Sequence, residues 1–214
     1  MTKIHTPPRI VLPVPKLKGR YRFDVLDKEL RCKQHTSWSK NLILDACLDQ
    51  LGVGGIASQC QVGSGNIAPN INQIALQSLV ATTSTVQSNE SGVATDAEGM
   101  YAWYRRKFRF AQGVAQGNLS EVGIRNTVLT SRSLIKDEND IPVTLTVLAE
   151  DFLDVTWECQ LRINTTPINS VMNVSVEGVV TPTSFVLQPA LVSEGTGGHW
   201  NQQLGRMLDS GVTS

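Results

Sequence analysis

The residue patterns able to support chemistry in this chain are a glycine-rich turn ahead of an amide-rich segment, a basic run threaded with aromatics, and carboxylates beside an alternating strand. The turn is Val62-Gly63-Ser64-Gly65 in the stretch CQVGSGNIAPNINQIALQSLV. A Gly-x-Gly turn entering a helix can hold a phosphate on backbone N–H groups. A dinucleotide fingerprint also needs a third glycine and, about 20 residues on, an acid after a second strand. Ala68 and Pro69 stand where that glycine belongs, and no Gly-Lys-Ser/Thr follows. The glycines are therefore assigned to a tight turn that uses their freedom of φ.

A hydrolase needs a nucleophile beside a base. The imidazoles are His5, His35 and His199, and no Gly-x-Ser-x-Gly elbow accompanies them. Glu150, Asp151 and Asp154 lie at the start of a strand whose alternate residues are polar, which favours a solvated turn over an acid/base pair. Cys32, Cys47, Cys60 and Cys159 form no Cys-x-x-Cys pair and read as buried thiols. Neither a His-rich nor an Asp-x-Asp metal cluster is present in the sequence. The expectation is a protein that is not an enzyme, with no catalytic residue, cofactor or metal.

The basic run YRRKFRF, residues 104–110, interleaves aromatics with Arg105, Arg106, Lys107 and Arg109. Single-strand binders use that pattern. The same residues also describe a strand that buries Phe108 and Phe110 and covers its outer face with Lys107 and Arg109, and this reading is preferred. A third reading pairs Arg105 and Arg109 with carboxylates of a neighbouring subunit, where the guanidinium fork suits an interface. Nineteen basic and nineteen acidic residues cancel, so no overall field draws the chain to nucleic acid. Partners must be recognised by shape.

These patterns have to be positioned by a chain of 214 residues, 41% of them hydrophobic, enough for one sizeable core. Residues 1–19 carry Pro7, Pro8, Pro13 and Pro15 around Ile10, Val11, Leu12 and Val14, which blocks a helix and leaves two readings, an extended arm whose aliphatic side chains seek a partner surface and a floppy tail. That segment is too short and too interrupted for a membrane span, so no membrane insertion is expected. Residues 20–214 are expected to form a single β-rich domain. Tyr21 to His35 alternates as a hairpin. A helix is predicted over about 39–51, with Leu44, Leu48 and Leu51 inward and Gly52 as the stop, and a second over about 72–82, capped by Asn72. Residues 82–99 read as a long polar loop.

Beyond them, several short Val-, Thr- and Ile-rich segments argue for antiparallel strands. The clearest places Leu153, Val155, Trp157, Cys159 and Leu161 in a core and Asp154, Thr156, Glu158 and Gln160 in water. The fold class expected is mainly β, an antiparallel β-sandwich with two short helices in the amino-terminal third.

The order of segments then becomes informative. GRYRFDVLD, WSKNLILDACLDQLG, CQVGSGNIAPNINQIALQSLVATT, FRFAQGVAQGNLSEVGI, SRSLI and DFLDVTWECQL follow one another in a way that resembles a family of tailed-bacteriophage virion proteins, of the tail fibre or minor tail type. The resemblance spans residues 19–191 and rests on Asn41, Leu42, Ile43, Gly52, Gly63, Gly65, Asn118, Ser120, Glu121, Gly123 and Ile124. It implies a virion protein made in the host cytoplasm that forms a symmetric homo-oligomer and joins other tail proteins as fibre, hub, collar or adaptor. The interface residues expected are Ile10, Val11, Leu12, Val14, Arg105 and Arg109. The alternative is a receptor- or carbohydrate-binding module for the host surface, using aromatics such as Trp38, Trp103 and Trp200.

Overall fold

The computed structural model describes residues 16–51, 55–162, 166–176 and 178–187, with only the backbone of Val176. Alternation sets the longest strands. β1 (Lys16–Leu26) points Tyr21, Phe23 and Val25 inward, and β12 (Phe152–Arg162) does the same with Leu153, Val155, Trp157 and Cys159. The two run antiparallel in unbroken register, Tyr21 opposite Trp157. β7 (Gly99–Phe110) pairs along the other edge of β12 and contributes Tyr104, Phe108 and Phe110 to the same core. Each buried aromatic of this kind stabilises the fold by roughly 1.5–3 kcal/mol.

The remaining strands extend the sheet. β2 (Cys32–His35) and β3 (Ser39–Ile43) share one edge of β1, then come β10 (Leu129–Leu134), β9 (Glu121–Arg125), β4 (Gln59–Gly63) and β5 (Leu79–Thr83), while β6 (Val86–Asp96) closes the far side beyond β7. Every pairing is antiparallel, in one ten-stranded sheet. The sheet curls into a half-barrel: Thr83 Oγ1 donates to the Arg109 carbonyl at 2.8 Å, and the Arg109 N–H donates to the Thr85 carbonyl at 2.9 Å. β8 (Gly117–Leu119) with β11 (Leu145–Val147), and β13 (Ile168–Val176) with β14 (Val179–Leu187), form separate two-stranded sheets. The four longest strands, β1, β6, β7 and β12, thus belong to one curled sheet, where the sequence suggests a sandwich.

Among the described residues there is one α-helix, α1 (Asp45–Leu51). The first half of the 39–51 helix is strand β3, because Ser39, Lys40 and Asn41 pair with β1 and Leu42 and Ile43 with β10. Within this short helix Cys47 is the buried residue, Leu44 is buried just ahead of it, and Leu48 is 60% exposed. The 72–82 helix does not form. Its backbone donors are taken by side chains: Asn70 accepts the Asn72 N–H, and Glu121 accepts those of Gln77 and Ser78. Its last residues become β5, paired with β4. The polar stretch 82–99 is also strand, since β6 is an edge whose side chains are largely solvated.

Candidate functional site

The glycine-rich turn does hold an anion, and the anion is the chain's own Glu121. β9 opens on this residue, which is wholly buried. Glu121 Oε1 accepts the N–H groups of Gly65 at 3.1 Å and Ser78 at 2.7 Å, and Oε2 accepts that of Gln77 at 3.1 Å. Arg132, on the neighbouring β10, donates to Oε2 from Nε at 2.9 Å and Nη2 at 2.6 Å, with Nη1 on Gln73 Oε1. Burial alone would push this carboxyl up, but the Ser78 and Gln77 amides and the Arg132 guanidinium outweigh it and hold it below the usual glutamate range.

Glycine is required at both turn positions. A Cβ on Gly65 would lie 2.5 Å from Glu121 Oε1, and one on Gly63 2.4 Å from the Ser78 carbonyl oxygen. Ser120 completes the clasp, donating from Oγ to the Gly65 carbonyl and from N–H to the Gly63 carbonyl, both at 2.9 Å. Gly63, Gly65, Ser120 and Glu121, which carry part of the family resemblance, therefore meet in one structural knot. The sequence signal for it was an acid standing in a Val/Gly/Ile strand, with no second acid beside it.

The outer face of β1, β12 and β7 carries the other charge cluster. β12 is central, and its outward residues Asp154, Thr156, Glu158 and Gln160 are buried under neighbouring side chains instead of facing water. Glu158 sits between two cations, with Arg20 Nη2 2.8 Å from Oε1 and Arg105 Nη2 2.7 Å from Oε2, and Gln160 Nε2 donates to Oε1. Desolvation opposes this carboxylate, yet Arg20, Gln160 and Arg105 together keep its pKa below the ordinary value. Trp38 packs beside Arg20, whose guanidinium carbon is 4.4 Å from the ring centre, and Trp103 beside Arg105 at 4.7 Å. Both indoles are half-buried on this face, not in the core.

Arg105 and Arg109 thus share the outer side of β7. Arg105 reaches Glu158 and Glu90, and Arg109 grips Asp154 bidentately with two 2.7 Å contacts. Asp151 is no solvated turn residue: it is buried and held by Lys33 Nζ at 2.6 Å, while Glu150 is exposed. Phe108 and Phe110 point inward as the alternation predicts, but Arg106 points inward too, bonded to the Tyr104 hydroxyl and Asn89 Oδ1. Cys47, Cys60 and Cys159 are buried; Cys32 is exposed. Ile10, Val11, Leu12 and Val14, with His5, His199 and Trp200, lie outside the described residues.

The third region is the β13–β14 hairpin. Its register puts Ile168 opposite Leu187, Ser170 opposite Phe185, Met172 opposite Thr183 and Val174 opposite Thr181. Ile168, Met172, Val174, Val179, Phe185 and Leu187 therefore share one face. Val179 is 67% exposed, and none of the six is in the core. The hairpin joins no other sheet among the described residues. Edge strand β5 adds exposed Leu79 and Val80, beside Ile71 and Ile74 of the preceding loop. The sequence marks both hairpin strands as apolar segments without revealing that they pair only with each other.

No helix among the described residues is long and apolar enough to cross a membrane, and no group of His, Cys, Asp and Glu among them is placed to hold a metal ion. No family model, no curated protein and no solved structure matches the chain.

Proposed function

We propose that this chain is a structural component of a bacteriophage tail assembly, a fibre, hub, collar or adaptor protein that forms a symmetric homo-oligomer and docks on neighbouring virion proteins. It acts by assembly and not by catalysis. The observation that carries this reading is the apolar face of β13–β14. Two strands alone are at best marginally stable in water and need a third strand or a packed layer. Six apolar side chains on one side of such a hairpin supply the surface for that layer, and a second copy of the chain supplies its complement. The exposed edge of β5 offers a further place for strand addition. The ordered motifs from residue 19 to 191 support the virion context.

Antibody labelling of purified tailed particles that encode the chain tests the reading. Label at a fixed position on the tail, lost when β13–β14 is deleted, is the expected result. Particles that assemble and infect without the protein would overturn it.

A second reading, host-receptor or carbohydrate binding, is favoured by the half-exposed Trp38 and Trp103 on the outer face. A glycan array probed with the full chain and with Trp38→Ala and Trp103→Ala separates the two: a saturable sugar hit lost in both variants supports receptor binding.

A further inference from the structure

The outer face of β1–β12–β7 is built of cross-strand rows, and one row differs from its neighbours. In the first, Arg20, Glu158 and Arg105 stand side by side, and the central carboxylate bridges the two flanking arginines. In the third, Asp24, Asp154 and Arg109 stand in line, and Asp154 is saturated by Arg109. The row between them is Arg22, Thr156 and Lys107, with Ser88 of β6 next along. It has a cation on each side and no carboxylate in it.

Two polar atoms of this middle row are left over, as is Arg20 Nε in the first row. Thr156 is 2% exposed, on the outward side of β12 between inward Val155 and Trp157, and its Oγ1 makes no hydrogen bond among the described residues. Arg22 Nε is likewise buried and without a partner. The nearest acid to Arg22 is Asp24, at 3.6 Å from Nη2, which is longer than a hydrogen bond. Lys107 Nζ takes part in no hydrogen bond or ion pair among the described residues, while the flanking carboxylates Glu158 and Asp154 are already bound by arginines. A buried donor without a partner costs about 1–3 kcal/mol, so the Thr156 hydroxyl between the two cations, with Arg22 Nε beside it, marks a place shaped for an acceptor.

We infer that Arg22, Thr156 and Lys107 form a binding site for the carboxylate group of a ligand, which takes in this row the place that Glu158 takes in the next. Arg22 and Lys107 stand two strands apart, roughly 10 Å at their backbones, a gap their long side chains close over Thr156. The indole of Trp38 lies over this face, 5.4 Å from the guanidinium carbons of both Arg22 on β1 and Arg105 on β7, and borders the site on the side of the Glu158 row. Charge-assisted bonds from the two cations and the threonine hydroxyl are the recognition.

The test is a titration of the full chain with acetate, followed by amide NMR at constant ionic strength set with chloride. Saturable shifts centred on Arg22, Thr156 and Lys107 are expected, weakened about 10-fold by Lys107→Gln or Arg22→Gln. Thr156→Glu would fill the row from within and is expected to abolish acetate binding; if that variant does not fold, the two glutamine variants decide. Shifts that spread evenly over exposed lysines such as Lys28 and Lys136, or affinity unchanged in both glutamine variants, would overturn the site. Glucuronate and N-acetylglutamate amide then distinguish an acidic sugar from an acidic side chain as the source: saturable binding of either upholds the inference, and binding of neither contradicts it.

Discussion

The knot around Glu121 and the β13–β14 hairpin are opposites in how they satisfy their own chain. At Glu121, a buried carboxylate and a buried guanidinium meet, and three backbone N–H groups, that of Gly65 buried and those of Gln77 and Ser78 at the margin, each find a partner there. In the hairpin the backbone is paired but the apolar face is only partly covered, with Val174, Val179 and Leu187 exposed and Ile168, Met172 and Phe185 half-buried. The first region is complete in a single copy of the chain; for the second, we propose that another copy supplies what is missing. Residues of the curled sheet should therefore govern stability, and residues of the hairpin association.

The largest effect should come from Glu121→Ala. It strands the buried Arg132 and takes the acceptor from the Gly65, Gln77 and Ser78 amides, and a buried pair broken from one side costs about 3–5 kcal/mol. Denaturant unfolding should show that loss, while sedimentation at a concentration where the variant is folded should show association unchanged. Loss of association at full stability would break the contrast.

Gly65→Ala comes next. Its Cβ would crowd Glu121 Oε1 and Gln77 Cβ, both 2.5 Å away, and overpacking of that kind costs about 1–3 kcal/mol. The same unfolding assay applies, with hydrogen exchange at Gln77 and Ser78 rising as the turn loosens. Glu158→Gln should cost less than Glu121→Ala, about 1–2 kcal/mol, because Arg20 and Arg105 are about one third exposed and water can take over part of their solvation. Equal losses for Glu121 and Glu158 would show that the outer face is as sealed as the knot.

A smaller effect is expected from pH. Both glutamates are held below their ordinary pKa, so their contribution is whole above the unfolded value of about 4.3 and declines as pH falls through the lower folded values. Glu121→Gln should flatten the acid limb of a stability profile more than Glu158→Gln does. The smallest change in stability, within about 0.5 kcal/mol, is expected from Val179→Ser with Val174→Ser, which alter only exposed positions. These should nonetheless weaken self-association.

Much of the sheet was legible. Alternation placed Tyr21, Phe23, Trp157 and Phe108 inward because each strand has one apolar side and the period is strict. The other side of β12 was not legible: polar residues at 154, 156 and 158 look solvated until the strands beside them supply covering arginines and lysines. The two helices failed for a related reason. Leu44, Leu48 and Leu51 have helical spacing, but Ser39–Ile43 gains more from pairing with β1 and β10, and the 72–82 segment gives its amides to Glu121, 43 residues or more away along the chain. Local propensity cannot register a donor claimed from that distance. The turn at Gly63 and Gly65 was recognised as a turn; what it encloses was hidden, since nothing in its own spacing names Glu121. Arg105 and Arg109 were singled out for their fork geometry, and that geometry is used within the chain on Glu158 and Asp154.

The most direct test is the mass of the purified full chain in solution, measured by light scattering from low to high micromolar concentration, beside the Val174→Ser/Val179→Ser double variant. A discrete symmetric oligomer that the variant shifts toward monomer, without loss of thermal stability, is the predicted result. A monomer at every concentration, for both proteins, would contradict the claim that the hairpin is completed by another copy.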